Sequence, residues 1–403
     1  MSDTILSAML PLTETIAVEE LVGELDAWKK LLDLRVLPRT WDGRLRRDLR
    51  AEAVAASNRM EGVNVTVDEV RRILAGDRPP EVGPEDRQLV EGYRDAMSFV
   101  LRQADDPTFS WDKGLIVGLH DRVLAGRYDL GAGRLRVERQ VWVTNHATGE
   151  EVYLPPLGER VDSLVEEAVF EMRRANLHPA IAAAWIHVVV VAIHPFADGN
   201  GRSARILASL AMYRGGFKRP EFTSLEEWWE RHLPEYSGLF GCLGSEFDPS
   251  ADVTPFIEGH LRAQVQQVRA LDLRIETERQ VWMAVEEAAE DAGMERRLAN
   301  ALWDAFFGRD VTAGYYRSLT DVSPATATND LTGAVAARLL ASTGERRARR
   351  YGPSGGLYQA VADALIVDID TASSARDRII SELGRRLTSG MAFGSPGRPF
   401  RTE

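Results

Sequence analysis

A single cysteine, Cys242, stands in 403 residues. That excludes a disulfide framework and a cysteine-built zinc site, and it fits a reducing compartment. Long apolar runs are missing too. The longest uninterrupted one, Ile181 to Ile193, contains His187 and falls short of the roughly 20 residues that span a bilayer. It reads as a core helix, with His187 a core residue, and no membrane partner is expected. The opening residues MSDTILSAMLPLTE lack the basic region of a secretory signal, so a cytoplasmic location is expected. Positive charge is in deficit, with a net charge of −12. This argues against broad, nonspecific nucleic-acid binding and leaves room for a local basic patch only.

What is present is enough for two or three domains. Residues 1–110 read as a helical region, with AEAVAASNRMEG running in strong helix formers until Gly62 stops it. Residues 111–265 hold the main core. Within it VERQVWVTNHATGEEVYLPP alternates β-formers around a turn, which predicts a β-hairpin from about Glu138 to Leu154. Residues 266–300 repeat apolar positions at helical spacing and are expected to connect two domains. Residues 301–390 carry two short helical patterns separated by DVSP, with Ser323 as N-cap and Pro324 at the first helical position. A turn and a basic strand with Arg346, Arg347, Arg349 and Arg350 follow, giving the pattern of a winged helix-turn-helix. Residues 391–403, rich in Gly and Pro, read as a flexible tail. Trp142, Trp228 and Trp229 read as packing residues.

The stretch HPFADGNGR, from His194, sits between two apolar segments and reads as a polar loop joining two buried helices. Pro195 disfavours the α conformation at His194, so the preceding helix should end there. DGNGR then leads into the next helix, whose free N–H groups and positive dipole end make an anion site. Gly199 and Gly201 let the backbone approach a phosphate without a side chain in the way. Asp198 offers a hard oxygen ligand for Mg2+, which commonly takes one or two carboxylates and leaves the rest to phosphates and water. Arg202 and Arg205 can each give charge-assisted hydrogen bonds worth about 1.5–3 kcal/mol. The set asks for a nucleotide. His194 is the group here that can accept a proton near neutral pH, which makes it the natural general base for an attacking hydroxyl.

From His194 to Arg205 the sequence resembles the Fic family, whose signature His-x-Phe-x-Asp/Glu-Gly-Asn-Gly-Arg-x-x-Arg is met position by position. The resemblance implies a mainly α, Fic-type helical core with a small β-hairpin flap, and transfer of AMP from ATP to a hydroxyl of a protein target. It assigns proton abstraction to His194, inward packing to Phe196 and Mg2+ to Asp198. It assigns the α-phosphate to Asn200 with Gly199 and Gly201, and the outer phosphates to Arg202 and Arg205. Doc-type phosphotransferases of this family carry lysine at the second glycine, so Gly201 favours adenylylation. Val141, Trp142, Val143 and Thr144 lie where the flap should dock the target as an added strand, and AGRLRV and YLPP beside it are similar to the family as well. Tyr236 lies where relatives often place a residue near the base.

SNRMEG, from Ser57 to Gly62, resembles the family's inhibitory pattern, and in a helix Ser57 and Glu61 share one face. Glu61 would pair with Arg205 and take the arginine that should hold the γ-phosphate. In some relatives the same glutamate helps remove AMP from the target. The C-terminal pattern resembles the winged helix often attached to Fic proteins, with Asn329 standing where relatives often have a basic residue. Two readings of different class follow: an autoinhibited adenylyltransferase, or a DNA-binding regulator whose core senses a nucleotide. Transfer of another phosphate-linked group, such as UMP, phosphate or phosphocholine, is a third. Self-modification, a homodimer and DNA contact through the C-terminal domain are the other partners the resemblance allows.

Overall fold

The structure is a computed structural model of the chain. It describes residues 4–6, 9–35, 39–137, 140–144, 149–219, 222, 225–345, 349–369 and 371–390. The chain divides into two units, Met1–Arg269 and Ala270–Glu403. Both are mainly helical.

In the first unit two short strands, β1 (Thr4–Leu6) and β2 (Leu12–Thr13), precede α1 (Ile16–Leu34), α2 (Arg39–Arg59), α3 (Val67–Leu74), α4 (Pro84–Asp105) and α5 (Lys113–Val123). The flap strands β3 (Val143–Thr144) and β4 (Glu151–Tyr153) follow, then α6 (Gly158–Arg174), α7 (Pro179–Ile193), α8 (Asn200–Arg214), α9 (Leu225–Arg231) and α10 (Leu233–Leu239). The α11 span, Thr254–Asp291, is one continuous helix. The division between units falls within its sequence.

The centre is α7 packed on α8, with α4 and α5 against α8 and α6 against α7. The α7 sequence PAIAAAWIHVVVVAI is apolar on every side and buried nearly throughout, as a helix without a polar face must be. Its β-branched run is a modest helix former by itself, and burial overrides that preference. Pro179 opens the helix at its first position, and His178 Nδ1 caps it by accepting from the Ala180 N–H at 3.2 Å. Trp185 donates from its indole to the Leu10 carbonyl at 3.1 Å and so ties the N-terminal segment to this core.

Among the described residues the hairpin strands are Val143–Thr144 and Glu151–Tyr153. Val143 pairs with Tyr153 and Thr144 with Glu151, while Val141 and Trp142 precede the strand. Residues 138, 139 and 145–148 lie outside the described residues. Tyr153 anchors the hairpin by donating its hydroxyl to the Ala192 carbonyl at 3.0 Å, near the end of α7.

The second unit contains α12 (Ala299–Phe306), α13 (Ala313–Thr320), α14 (Pro324–Ala336), the antiparallel strands β5 (Leu340–Thr343) and β6 (Arg350–Pro353), α15 (Gly355–Ala364) and α16 (Ala372–Gly390). Ser323 caps α14 through a bond from the Thr326 N–H at 3.1 Å, with Pro324 at the first helical position. Val311 forms a bridge to Tyr351 on β6. Arg346, Arg347 and the residues from 391 onward lie outside the described residues.

Candidate active site

Pro195 disfavours the α conformation in the residue before it, and α7 ends at Ile193. His194 is its C-cap, held in the left-handed region at φ 50° and ψ 60°. A non-glycine residue keeps that conformation only where its surroundings fix it. Arg136 supplies the fixing contacts. Its Nε donates to the His194 carbonyl at 2.6 Å, and its Nη2 donates to the carbonyls of Pro156 at 2.7 Å and Ile193 at 3.0 Å. Burial, reinforced by the Arg136 charge, pushes the His194 imidazole down to about 4. At neutral pH the ring is unprotonated and able to accept a proton.

The loop after His194 is braced from within. The Asn200 carboxamide accepts from the Phe196 N–H at 2.9 Å and donates to the Phe196 carbonyl at 2.9 Å. Both ends of the amide thus hold the loop. Phe196 is fully buried and stacks on His120, with ring centroids 3.6 Å apart and planes 7° apart. His120 Nδ1 accepts from the Gly133 N–H at 3.1 Å, which leaves Nε2 as the donor to the Asp198 carbonyl at 2.8 Å. Burial pushes His120 down to about 4 as well, so one neutral tautomer serves both bonds.

Gly199, at φ 74°, is the N-cap of α8. The positive φ favours glycine, and a Cβ there would stand a tight 3.1 Å from Leu124 Cδ2. The first-turn N–H groups of α8 have no intrahelical carbonyl to meet, and they form the positive end of its dipole. Arg202 on the same turn is only 2% exposed, and its Nε and Nη1 are buried without a hydrogen-bond partner among the described residues. A guanidinium so placed favours an incoming anion. The Asp198 carboxylate, 44% exposed, lies 3.4 Å from Arg202 Nη2 and accepts from the Gly199 N–H at 2.6 Å. No group of three or more His, Cys, Asp or Glu side chains able to hold a metal occurs among the described residues. One half-exposed carboxylate beside the N-terminus of α8 and the Arg202 guanidinium fits Mg2+ carried mainly by phosphate and water oxygens.

Residues 110–212 match the model of the Fic/DOC family. The chain carries a Fic domain. Its relatives include the protein adenylyltransferase Fic of Nematostella vectensis, 32% identical over 165 residues that make up 40% of this chain and 37% of the relative. Another is the protein adenylyltransferase fic-1 of Caenorhabditis briggsae, 33% identical over 163 residues, or 39% of this chain and 31% of the relative. The chain thus spans under two fifths of these relatives. Among solved structures, a Fic family protein from Desulfovibrio desulfuricans G20 has a TM-score of 0.55 at 22% identity, covering 85% of this chain and 97% of that one. Fic-1 (aa134 - 508) from C. elegans has a TM-score of 0.52 at 21% identity, covering 64% and 73%. The fold is shared with both.

Upstream of the Fic domain, α2 delivers the SNRMEG segment to the same site. The helix ends in a Schellman motif: the Gly62 N–H donates to Arg59 O and the Val63 N–H to Asn58 O, at 3.0 and 3.1 Å, with Gly62 at φ 84°. Glu61 is therefore the C-cap and not a residue of the helix body. It still reaches the site together with Ser57. Arg205 Nη2 donates to Glu61 Oε1 at 2.8 Å, and Arg205 donates to the Ser57 hydroxyl at 3.1 Å and to the Ser57 carbonyl at 3.2 Å. Burial opposes the Arg205 charge, but Glu61, Tyr236 and Tyr93 hold it above the ordinary guanidinium range. Gly201 faces this pair, and a Cβ on it would lie 2.5 Å from Glu61 Oε1. Arg59 secures the segment to α9 through a two-pronged pair with Glu230.

Tyr236, which the resemblance places near the base, stands beside Arg205. It is buried, bonds His187 Nε2 through its hydroxyl at 2.9 Å and packs against Trp229 at 4.9 Å. His187 is a core residue, as its apolar helix suggests. Two residues of the site escaped the motif reading, His120 and Arg136. For Arg136 the available signal is AGRLRV beside the flap.

Proposed function

We propose that the protein transfers AMP from ATP to a hydroxyl side chain of a protein target, and that Glu61 restrains the reaction by holding Arg205. The observation that carries this reading is the unequal state of two neighbouring arginines. Arg202 is buried with two nitrogens that make no hydrogen bond among the described residues, its Nε 3.9 Å from Glu61 Oε2, whereas Arg205 already bonds Ser57 and Glu61 directly. The names of the relatives point to the same chemistry.

With ATP seated, the first-turn N–H groups of α8 would face the α-phosphate while Arg202 meets the β-phosphate. The γ-phosphate would reach Arg205 only after Glu61 withdraws. Asp198 would hold Mg2+, which supplies charge neutralisation to the phosphates when bound. The target would pair with the flap at Val141 to Thr144, where Trp142 is 45% exposed, and so bring its hydroxyl to His194. The hydroxyl oxygen attacks Pα, the bond from Pα to the β-phosphate oxygen breaks, and pyrophosphate leaves. The hydroxyl proton passes to the neutral His194 ring. The single free cysteine, Cys242, supports a reducing, cytoplasmic setting for this work.

The test is incubation of the Glu61→Gly protein and candidate targets, itself included, with ATP labelled at the α- or the γ-phosphate. Protein-bound α-label without γ-label supports adenylyl transfer. Bound γ-label replaces it with phosphoryl transfer, and label from UTP in place of ATP points to UMP.

A second reading concerns the C-terminal unit. The Ser323-capped helix after a short turn, followed by the β5 and β6 hairpin, supports a winged helix that contacts DNA with α14 and the basic strand at Arg349 and Arg350, or that joins two copies of the chain. Salt-dependent retardation of duplex DNA supports the first role. Its absence with a concentration-dependent dimer supports the second.

A further inference from the structure

We infer that Arg136 is the positioning residue of the reaction, the side chain that sets where the His194 ring stands relative to the strand that docks the target. The inference rests on the adenylyl-transfer reading and adds a residue to it.

Four bonds converge on this residue. The guanidinium collects the carbonyls of Ile193, His194 and Pro156, and the main-chain N–H donates to the Pro195 carbonyl at 3.0 Å. Two of those carbonyls belong to the last residue and the C-cap of α7, the end of a helix where carbonyls lack intrahelical donors and a cation is favoured. The third, on Pro156, lies just past β4 and Leu154, at the root of the flap. Arg136 is itself 7% exposed, so its position is set by packing as well as by these bonds. The same fork therefore touches the residue that takes the proton and the segment that fixes the register of the incoming strand.

The consequence is geometric. His194 stands in a left-handed conformation that costs free energy unless neighbours impose it, and the Arg136 Nε bond falls on the carbonyl of that very residue. Lysine keeps the charge but cannot reproduce a planar fork with parallel donors. Without the fork the His194 backbone can relax and carry the ring away from the attacking oxygen. Misplacement of about 1 Å at a reacting group can lower a rate about 100-fold.

The charge of Arg136 has a separate effect. The ring lies close enough to feel it, and together with burial it keeps His194 unprotonated at neutral pH. Lysine and methionine substitutions therefore separate the two roles.

The experiment uses Arg136→Lys and Arg136→Met, each in the full chain and in the Glu61→Gly background, with thermal unfolding to establish that the variants are folded. His194 is followed by NMR on histidine-labelled protein, which is practical with seven histidines in the chain, and labelling is followed as kcat and KM for ATP. Both variants are expected to lose about 100-fold in kcat with KM for ATP changed less than about twofold, since the α8 anion site is untouched. The His194 titration is expected to move up in Arg136→Met and to stay near the parent in Arg136→Lys. Folded variants with unchanged kcat and an unchanged His194 titration overturn the inference, as does a loss confined to KM for ATP. Failure of the Glu61→Gly parent to label at all would remove the adenylyl-transfer reading. The His194 titration would still report whether Arg136 sets the state of that ring.

Discussion

Glu61 Oε1 sits 2.8 Å from Arg205 Nη2, joining the C-cap of α2 to the arginine that closes the motif 144 residues later. The contact is mostly buried, with side-chain exposures of 19% and 3%. A charged hydrogen bond of this kind contributes about 1.5–3 kcal/mol, which is tenfold or more in an equilibrium. ATP must displace it before its γ-phosphate can reach Arg205. Glu61→Gly is therefore expected to show a larger rise in unfolding temperature on adding ATP and Mg2+ than the unaltered chain, because stabilisation by a ligand follows its affinity for the folded state. Equal shifts would mean that Glu61 does not compete with the nucleotide.

Gly201 offers a way to disturb the same contact without removing the carboxylate. A Cβ at this position would stand 2.5 Å from Glu61 Oε1, so Gly201→Ala must push the Glu61 side chain aside. The atom met is the free end of a flexible side chain, so the penalty is at most that of the disturbed Arg205 pair, about 1.5–3 kcal/mol. The penalty is expected in urea unfolding of the single variant and is expected to shrink when Glu61→Gly is also present, since residues in contact are not additive. Additive losses would show that the two positions do not touch.

Asn200 behaves as a brace. Asn200→Ala is expected to lose two hydrogen bonds and leave buried main-chain groups of Phe196 without partners, a destabilisation of about 2–4 kcal/mol from typical values per group. Urea midpoints would measure it. A change in ATP affinity with no change in stability would return Asn200 to the phosphate.

Acid should weaken the fold for a reason that can be traced. His194 and His120 are pushed down to about 4 and His260 to about 3 by burial, and His187 is driven well below the ordinary value by burial. The unfolded chain binds protons at these four sites from about pH 6.5 downward, before the folded chain does. Stability from these groups is thus full above that pH and is lost as pH falls toward 4. Glu226, pushed up to about 7 by burial, acts in the opposite sense, being protonated in the folded chain where the unfolded chain has released its proton. The net is about three protons, or about 4 kcal/mol per pH unit at the steepest point. Urea unfolding at pH 7, 6 and 5 would measure it, and a flat profile would contradict the burial of these rings.

The part of the site written in one contiguous stretch was legible in the sequence, because a loop and the first turn of a helix bring His194, Asp198, Arg202 and Arg205 together by local geometry. Ser57 and Glu61 were legible for a similar reason, although the exit of Glu61 from the helix depends on the left-handed turn at Gly62. The contacts of Arg136 and His120 were not. Their partners lie 58 and 78 residues away, and only tertiary packing brings them to the loop. Nor were the contacts of Tyr236 legible, because the face of a short helix that turns inward is decided by what packs on it, here His187 and Trp229. The bonds from the Asn200 amide to the Phe196 backbone were equally beyond the sequence.

The measurement that tests the central claim most directly is the intact mass of three proteins after incubation with ATP and Mg2+: the unaltered chain, Glu61→Gly, and Glu61→Gly combined with His194→Ala. Addition of AMP mass to Glu61→Gly or to a target mixed with it, little addition by the unaltered chain and none when His194 is gone is the predicted result. An unaltered chain that labels as well as Glu61→Gly, or a His194→Ala protein that still labels, would contradict the account.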